Sequence, residues 1–165
     1  MQRNAESAPE NFAFYNNDGV VFLGINLVGG AVYDEMSWQT RHQSNLDWIN
    51  SNVNFYEETV NPRVYVIFAH ASPFLQSNSA FYNSLFNRIE EDYKDSEFIL
   101  VHRNLVTEEA GLYENYWGID NLDVVIAQGS IWPPMKIQVD LRDGDTKINV
   151  DQNWHWDEKA NDGNQ

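Results

Sequence analysis

Apolar positions in the first third of the chain follow two different periods. Residues 12–15 and 20–28 are rich in aromatic and aliphatic side chains and flank Asn16-Asn-Asp-Gly19, whose residue types tolerate the positive φ angles of a tight turn. We therefore predict a β-hairpin. From about Ser37 to Glu58, apolar positions recur every three or four residues, which predicts a helix that ends before Asn61-Pro62. The predicted inner face of this helix consists of Trp38, His42, Leu46, Ile49, Val53 and Tyr56.

Two continuous apolar runs follow in the middle of the chain. Residues 64–69 precede His70, and residues 97–101 precede His102. Runs without alternation are typical of strands that are buried on both faces. Between them, residues 79–93 carry apolar side chains at helical spacing. Strand, helix and strand in this order form a βαβ pattern, so we expect the two strands to be parallel.

The last third of the chain predicts a short strand and a second hairpin. Residues 103–123 show no regular period, and Val124–Ala127 is a short apolar run. Residues 135–141 and 146–150 alternate between apolar and polar side chains around a turn, as strands with one solvated face do. The fold class is therefore predicted to be α/β, with mixed β-sheets and packed helices.

Length and charge restrict the classes of function. The chain has 165 residues, enough for one domain, and 25 acidic against 10 basic side chains give a net charge of −15. This balance argues against binding to nucleic acid or to anionic lipid, since both need a basic surface. Residues 1–11 lack an apolar signal region, and no apolar run approaches the roughly 20 residues of a membrane helix, so no membrane insertion is expected. We assign residues 1–151 to one domain and 152–165 to an acidic, tryptophan-containing tail.

Two histidines are the clearest candidates for chemistry. The chain has no cysteine, which excludes thiolate ligands and cysteine nucleophiles but leaves the compartment open. His70 and His102 each follow a buried strand, and ligands of open α/β sheets bind at the carboxyl ends of strands. Neutral imidazoles there could bind Zn, Fe or Mn with the help of carboxylates. Alternatively, each histidine only caps the following loop, and acidic pairs such as Glu108-Glu109 are solvated.

Aromatic residues offer a second kind of site. Trp117, Trp132, Trp154 and Trp156 could form a platform for a sugar or for a partner, since aromatic faces stack on apolar rings. Packing in the core and at its rim is the simpler explanation for six tryptophans in one domain.

The order and spacing of several segments resemble the calcineurin-like metallophosphoesterases. The resemblance covers roughly residues 10–151 and is to the C-terminal half of that fold. It implies half of an αββα sandwich, in which two stacked β-sheets lie between helices and a dinuclear metal site forms at strand ends. His70 matches the metal-ligating histidine of the family's strand–His–x–x–Pro segment. The segments that carry the resemblance are Asn11-Phe-Ala-Phe, Val20-Val-Phe-Leu-Gly-Ile-Asn, Asn45-Leu-Asp-Trp-Ile49, Val64-Tyr-Val-Ile-Phe-Ala-His70-Ala-Ser-Pro73, Phe98-Ile-Leu-Val-His102 and Gly129-Ser130 through Val139-Asp140.

The chain departs from this family at the metal ligands. Val101-His102-Arg103-Asn104 stands where the family has a Gly-His-x-His or Gly-Asp-x-His pattern. In one alignment His102 is the first histidine and Asn104 replaces the second; in another, residues 103–106 replace the whole motif. Arg103 brings a positive charge, which opposes metal binding. The family's Asp-x-His, Gly-Asp-x-x-Asp and Gly-Asn-His segments do not occur in this sequence, so two-metal hydrolysis is not expected of this chain alone.

We therefore expect a truncated, catalytically inactive metallophosphoesterase-like domain that acts through protein binding or assembly. A second copy or another chain would cover the sheet face that the missing half leaves exposed. Arg103, Asn104 and Trp117 are the candidate binding residues, and His70 and His102 the candidate metal ligands. No cofactor is expected, or a divalent metal (Mn, Fe or Zn) if the domain is active. The alternatives are one part of a split metal-dependent phosphoesterase completed by a partner chain, and an aromatic-platform ligand-binding module.

Overall fold

Two α-helices, a mixed sheet of seven strands and a separate two-stranded sheet form the described part of the chain. The computed structural model describes residues 11–103, 108–128, 135–142 and 146–152 and the backbone of residues 2–3. The helices are α1 (Glu35–Thr59) and α2 (Ser79–Glu91). The strands are β1 (Gln2–Arg3), β2 (Phe12–Tyr15), β3 (Val20–Gly24), β4 (Val64–Ala69), β5 (Glu97–Arg103), β6 (Gly111–Tyr113), β7 (Leu122–Ala127), β8 (Lys136–Asp140) and β9 (Lys147–Asp151).

The large sheet has a parallel centre and antiparallel edges. Its strand order is β1-β2-β3-β4-β5-β7-β6, with β3, β4, β5 and β7 parallel. Strands β1 and β2 form one antiparallel edge and β6 the other. This arrangement confirms the predicted α/β class and the predicted parallel pairing of β4 with β5. Because β3, β4 and β5 follow each other across the sheet, right-handed crossovers bring α1 and α2 to the same face.

Helix α1 begins where an acidic side chain caps it. The backbone amides of Met36 and Ser37 donate to Asp34 Oδ1 at 3.1 and 3.4 Å, so two of the otherwise unpaired amides of the first turn are satisfied. The helix therefore starts two residues before the predicted Ser37. Its buried face contains the predicted residues except Trp38, which is partly exposed, and it adds Asn45 and Asn52.

The opposite face of the large sheet is covered in part by the hairpin of β8 and β9. Alternate residues of these strands pack on valine and isoleucine side chains of the sheet, as the period of two predicts. Arg63 Nη1 donates to the carbonyl oxygen of Leu141 at 2.6 Å, which joins the end of β8 to the start of β4. The layers are thus helices, sheet and hairpin. The hairpin contributes Met135, Ile137, Val139, Leu141, Ile148 and Val150.

Some predicted boundaries were wrong. Strand β3 ends at Gly24 rather than at residue 28, and β5 continues through His102 to Arg103. Strand β6 lies in the segment that showed no period, because a three-residue edge strand is held by its partner β7 and needs no alternation of its own.

Several predictions concern residues outside the described ranges. They are the binding role of Asn104, the segment Gly129-Ser130, the platform residues Trp132, Trp154 and Trp156, and nearly all of the tail. Within the described residues, neither helix has the length and apolar character needed to cross a bilayer.

Candidate functional site

The two candidate metal-ligating histidines lie in different environments. His102 is adjacent in register to Ala69, on the helix side of the sheet, and is only 1% exposed. His70, which follows Ala69, is exposed. Among the described residues, no group of three or more His, Asp or Glu is placed to hold a metal ion. The described residues therefore do not fit a dinuclear centre by themselves, and a metal bound by both histidines stays a prediction.

Arg103 is separated from His102 by the sheet itself. It is adjacent in register to Ala127, which packs against the cluster under the hairpin. Successive residues of a strand point to opposite faces, so Arg103 lies on the hairpin side and His102 on the helix side. The structure therefore does not bring these two predicted site residues together.

The imidazole of His102 presents an unpaired nitrogen in the protein interior. Its Nδ1 lies 2.9 Å from the carbonyl oxygen of Arg103, and since a carbonyl only accepts, Nδ1–H is the donor. Burial lowers the pKa of His102, which favours the neutral ring. The lone pair is then on Nε2, which is buried and has no hydrogen-bond partner.

The loop that follows β4 is held by hydrogen bonds from its own side chains and from α2. Ser72 is fully buried; its hydroxyl donates to Glu108 Oε1 at 2.5 Å and accepts from the amide of Phe74 at 3.1 Å. The hydroxyl of Tyr82, on α2, donates to the carbonyl oxygen of Ala71. These bonds fix Glu108 beside the carboxyl ends of β4 and β5.

Tyr116 brings a second unpaired polar atom to this region. Its side chain is buried, and its hydroxyl has no hydrogen-bond partner. Burial, and then the nearby Glu108, raise the pKa of Tyr116 to about 12. Burial, Tyr116 and Glu108 also raise the pKa of Tyr82. Glu108 therefore lies within electrostatic reach of the imidazole and of both phenols. We name this group the polar cluster: Ser72, Tyr82, His102, Glu108 and Tyr116.

Two exposed aromatic rings adjoin the polar cluster. Trp117 stacks on Tyr116 with ring centroids 5.5 Å apart and an interplanar angle of 14°. Phe74 meets Tyr116 edge to face at 6.4 Å. Trp117 is 54% exposed and has φ 57° and ψ 22°, a left-handed conformation that is unusual for a bulky residue. Strained backbone of this kind concentrates at functional sites. The structure thus connects the predicted binding residue Trp117 to His102 through Tyr116 and Glu108.

Sequence reasoning missed most of the polar cluster. Tyr82 carried a weak signal, because it lies four residues before Phe86 and so forms a second apolar stripe on α2. Glu108 was interpreted as a solvated loop residue, and nothing local indicates that it contacts Ser72, 36 residues earlier.

A row of phenylalanines forms a second, apolar surface on the hairpin side of the sheet. Phe14 and Phe22 stack with centroids 5.8 Å apart, Phe22 and Phe68 at 6.3 Å, and Phe12 and Phe68 at 6.5 Å. Phe14 is 45% exposed and Phe68 is 37% exposed. We name Phe12, Phe14, Phe22 and Phe68 the phenylalanine row.

The phenylalanine row lies beside the hairpin. Leu141 follows β8. Its carbonyl oxygen accepts from Arg63, which directly precedes β4, and its side chain lies close to Gly19, which directly precedes β3. At the other side of the hairpin, Gln152 Nε2 donates to the carbonyl oxygen of Ala110, next to β6. Strand β8 therefore faces β2 and β3, where the row is. Within the described residues β8 pairs only with β9, so its other edge is open toward the row.

Comparisons of the chain with protein-family models, with curated proteins and with solved structures found no match. The resemblance to the metallophosphoesterases accordingly stays a prediction carried by the sequence segments quoted above.

Proposed function

We propose that the chain is a catalytically inactive, metallophosphoesterase-like half-domain that binds a partner polypeptide across the phenylalanine row. The single observation that carries this proposal is the row itself, four neighbouring aromatic rings beside an open strand edge. Contiguous exposed apolar surface on a folded domain is typical of interaction sites. The layer order of helices, sheet and partial hairpin supports the same proposal, since half of an αββα sandwich would have one face incompletely covered.

The open edge of β8 favours a partner that contributes a β-strand. A strand added there would pair with the backbone groups of β8 that have no strand partner among the described residues, and it would extend the hairpin sheet over Phe22 and Phe14. Backbone pairing supplies the register, and the rings supply buried apolar area. The hairpin already covers the neighbouring valines in this way, so the partner would continue an existing layer.

Charge favours a different polypeptide over a second copy. Each copy carries a net charge of −15, and two such surfaces repel when they are brought together. A partner with the family's first-half segments would also supply the missing layer of the sandwich. Binding is the role of this chain in that complex, because the described residues supply too few ligands for metal-assisted hydrolysis.

The test is a titration with a polypeptide from the same organism that carries the Asp-x-His, Gly-Asp-x-x-Asp and Gly-Asn-His segments. We expect binding by calorimetry, and we expect Phe14→Ser to weaken it by roughly tenfold, in line with the loss of a buried aromatic anchor. The matched control is Phe55→Ser on α1, because Phe55 is also 45% exposed but lies outside the row. It should leave the affinity unchanged.

Three results would contradict the proposal. Equal losses for Phe14→Ser and Phe55→Ser would remove the row from the interface. If the chain alone self-associates in sedimentation and Phe14→Ser abolishes this, the phenylalanine row binds a second copy of the chain rather than a different polypeptide. EDTA-sensitive hydrolysis of a phosphomonoester or phosphodiester with Mn²⁺ by the chain alone would show that the domain is an enzyme. The same activity in the mixture only would show that the chain is one part of a split enzyme.

A further inference from the structure

Arg103 differs from the other described arginines in having no contact partner. It is the last residue of β5, and its side chain is exposed. Among the residues that the structure describes, its guanidinium forms no hydrogen bond, ion pair or ring contact. The other arginines with described side chains each have a partner: Trp38 for Arg41, Leu141 for Arg63, Tyr93 for Arg88 and Asp140 for Arg142. Acidic side chains outnumber basic ones by 25 to 10, so the isolation of Arg103 does not come from a lack of carboxylates in the chain.

Arg103 lies beside the phenylalanine row and on the same face of the sheet. Val101 is adjacent in register to Phe68, and Arg103 is two residues further along β5, so it points to the same face as Val101. With about 4.8 Å between strands and a rise of about 3.3 Å per residue, the Cα atoms of Phe68 and Arg103 are about 8 Å apart. Diagonal neighbours at this spacing are within reach of long and aromatic side chains. The exposed guanidinium therefore extends the surface that the phenylalanine row begins.

A guanidinium selects its ligand by charge and by shape. It only donates hydrogen bonds and stays protonated, and its planar fork matches the oxygens of a carboxylate or a phosphate. The net charge of −15 disfavours the phosphates of a nucleic acid. On a polypeptide, the matching group is the side chain of Asp or Glu. Arginines and aromatic rings at the centre of an interface also supply much of its binding energy.

We propose that Arg103 binds the carboxylate of an Asp or Glu side chain of the polypeptide that docks on the phenylalanine row. The inference rests on the proposed function and specifies the chemistry of the partner, which must present an acidic side chain beside its apolar anchor. The net charge of the chain does not cancel this pair, because salt screens charges that are more than about 8–10 Å away. Direct contact with the guanidinium is local and charge-assisted.

The experiment titrates the full chain with the same polypeptide that tests the proposed function and compares Arg103→Met with Lys94→Met. Both changes remove one exposed positive charge, but Lys94 precedes β5 and Arg103 ends it, so the two positions are at opposite ends of the strand. We expect Arg103→Met to weaken binding by roughly tenfold and Lys94→Met to leave the affinity unchanged. The salt dependence of the affinity should decrease in Arg103→Met only. The melting temperature of Arg103→Met should stay that of the parent, since the guanidinium has no partner to lose.

A double-mutant cycle identifies the carboxylate. Each Asp and Glu of the partner is changed to its amide, and each variant is titrated against the parent chain and against Arg103→Met. For one position the amide variant should bind the parent chain roughly tenfold more weakly and bind Arg103→Met with no further loss, because the pair is already broken. Arg103→Lys should recover part of the affinity, since a lysine keeps the charge but not the planar fork.

The outcomes separate this inference from the proposed function. If Phe14→Ser weakens binding while Arg103→Met and Lys94→Met have equal effects, the row binds the partner and Arg103 does not. If Arg103→Met weakens binding but no carboxylate of the partner is coupled to it, the acidic ligand is wrong. If Phe14→Ser and Arg103→Met both leave the affinity unchanged, the proposed function fails and the inference fails with it.

Discussion

The ring of Phe12 occupies the space that a side chain at Gly24 would need. The two residues are paired across β2 and β3, and a β-carbon placed at position 24 would lie 2.0 Å from Phe12 Cε1. Phe12 in turn contacts Phe68, so this glycine fixes one end of the phenylalanine row. The glycine is required here for close approach rather than for an unusual backbone angle.

We predict that Gly24→Ala destabilises the domain by about 1–3 kcal/mol, the usual cost of inserting a methyl group into a packed position. The added methyl must displace the Phe12 ring, since no flexible side-chain end can yield instead. Chemical denaturation would measure the free energy of unfolding. The same variant should weaken partner binding, because the displaced ring belongs to the proposed interface.

A double-mutant cycle with Phe12→Ala provides the control. With the ring removed, Gly24→Ala should cost close to nothing or stabilise slightly, because alanine restricts the unfolded chain more than glycine does. A cost that is the same in both backgrounds would show that the ring is not the reason for the glycine.

Buried asparagines connect α1 to the chain around β2 and β3. Asn45 is fully buried; its Oδ1 accepts from Asn11 Nδ2 at 3.0 Å and its Nδ2 donates to the carbonyl oxygen of Asn26 at 2.9 Å. Asn11 Oδ1 also accepts from the amide of Asn26 at 2.7 Å. The three bonds form a closed network. In it, the side-chain amides of Asn11 and Asn45 each donate one hydrogen bond and accept one, and the backbone of Asn26 does the same.

We predict that Asn45→Ala lowers the free energy of unfolding by about 1–3 kcal/mol, because buried polar groups lose their partners. The matched control is Asn54→Ala, which is the same change on the same helix at an exposed position. It should stay within about 0.5 kcal/mol of the parent. Equal effects of the two changes would show that the network contributes nothing to stability, since both replacements change helix propensity by the same amount in favour of alanine.

The sequence predicts the parts of the fold that depend on local patterns. The residue types of Asn16-Asn-Asp-Gly19 predict a turn, and the spacing of apolar residues in α1 predicts a helix. The continuous apolar run 64–69 predicts a strand that is buried on both faces. The apolar run 97–101 is continuous as well, so the sequence does not show on which face of the sheet His102 lies. A strand that is apolar on both faces has no alternation that shows which side chains point to which face. The sequence alone therefore could not test whether His102 and His70 lie close enough to share a metal.

Contacts between distant segments account for the rest. Glu108 contacts Ser72 and Asn45 contacts Asn11 over about a fifth of the chain, at sequence separations of 36 and 34 positions. The register that brings Phe14, Phe22 and Phe68 into one row depends on the pairing of three strands. Periodicity identifies each strand but does not place the strands beside each other.

The carboxylate of Asp123 anchors the strained turn that carries Trp117. Asp123 Oδ1 accepts from the backbone amide of Asn115 at 3.0 Å, and Asn115 itself has a left-handed φ of 49°. Asp123→Ala removes this acceptor and should cost about 0.5–1.5 kcal/mol. Asp123→Asn keeps an oxygen in place and should retain the turn, which the environment of Trp117 in fluorescence would report.

The charge of Asp123 gives the domain a pH dependence of a definite sign. Burial raises the pKa of Asp123, and this effect outweighs the hydrogen bond from Asn115, which lowers it. The folded state therefore holds a proton more tightly than the unfolded state, whose pKa is near 3.8, and stability falls as the pH rises through the folded pKa. We predict that Asp123→Asn removes this loss, so that the variant gains stability relative to the parent as the pH rises above the unfolded pKa of 3.8. Asp120→Asn, at an exposed position nearby, should follow the parent curve; denaturation at a series of pH values compares the three, and a parallel curve for Asp123→Asn would contradict the argument.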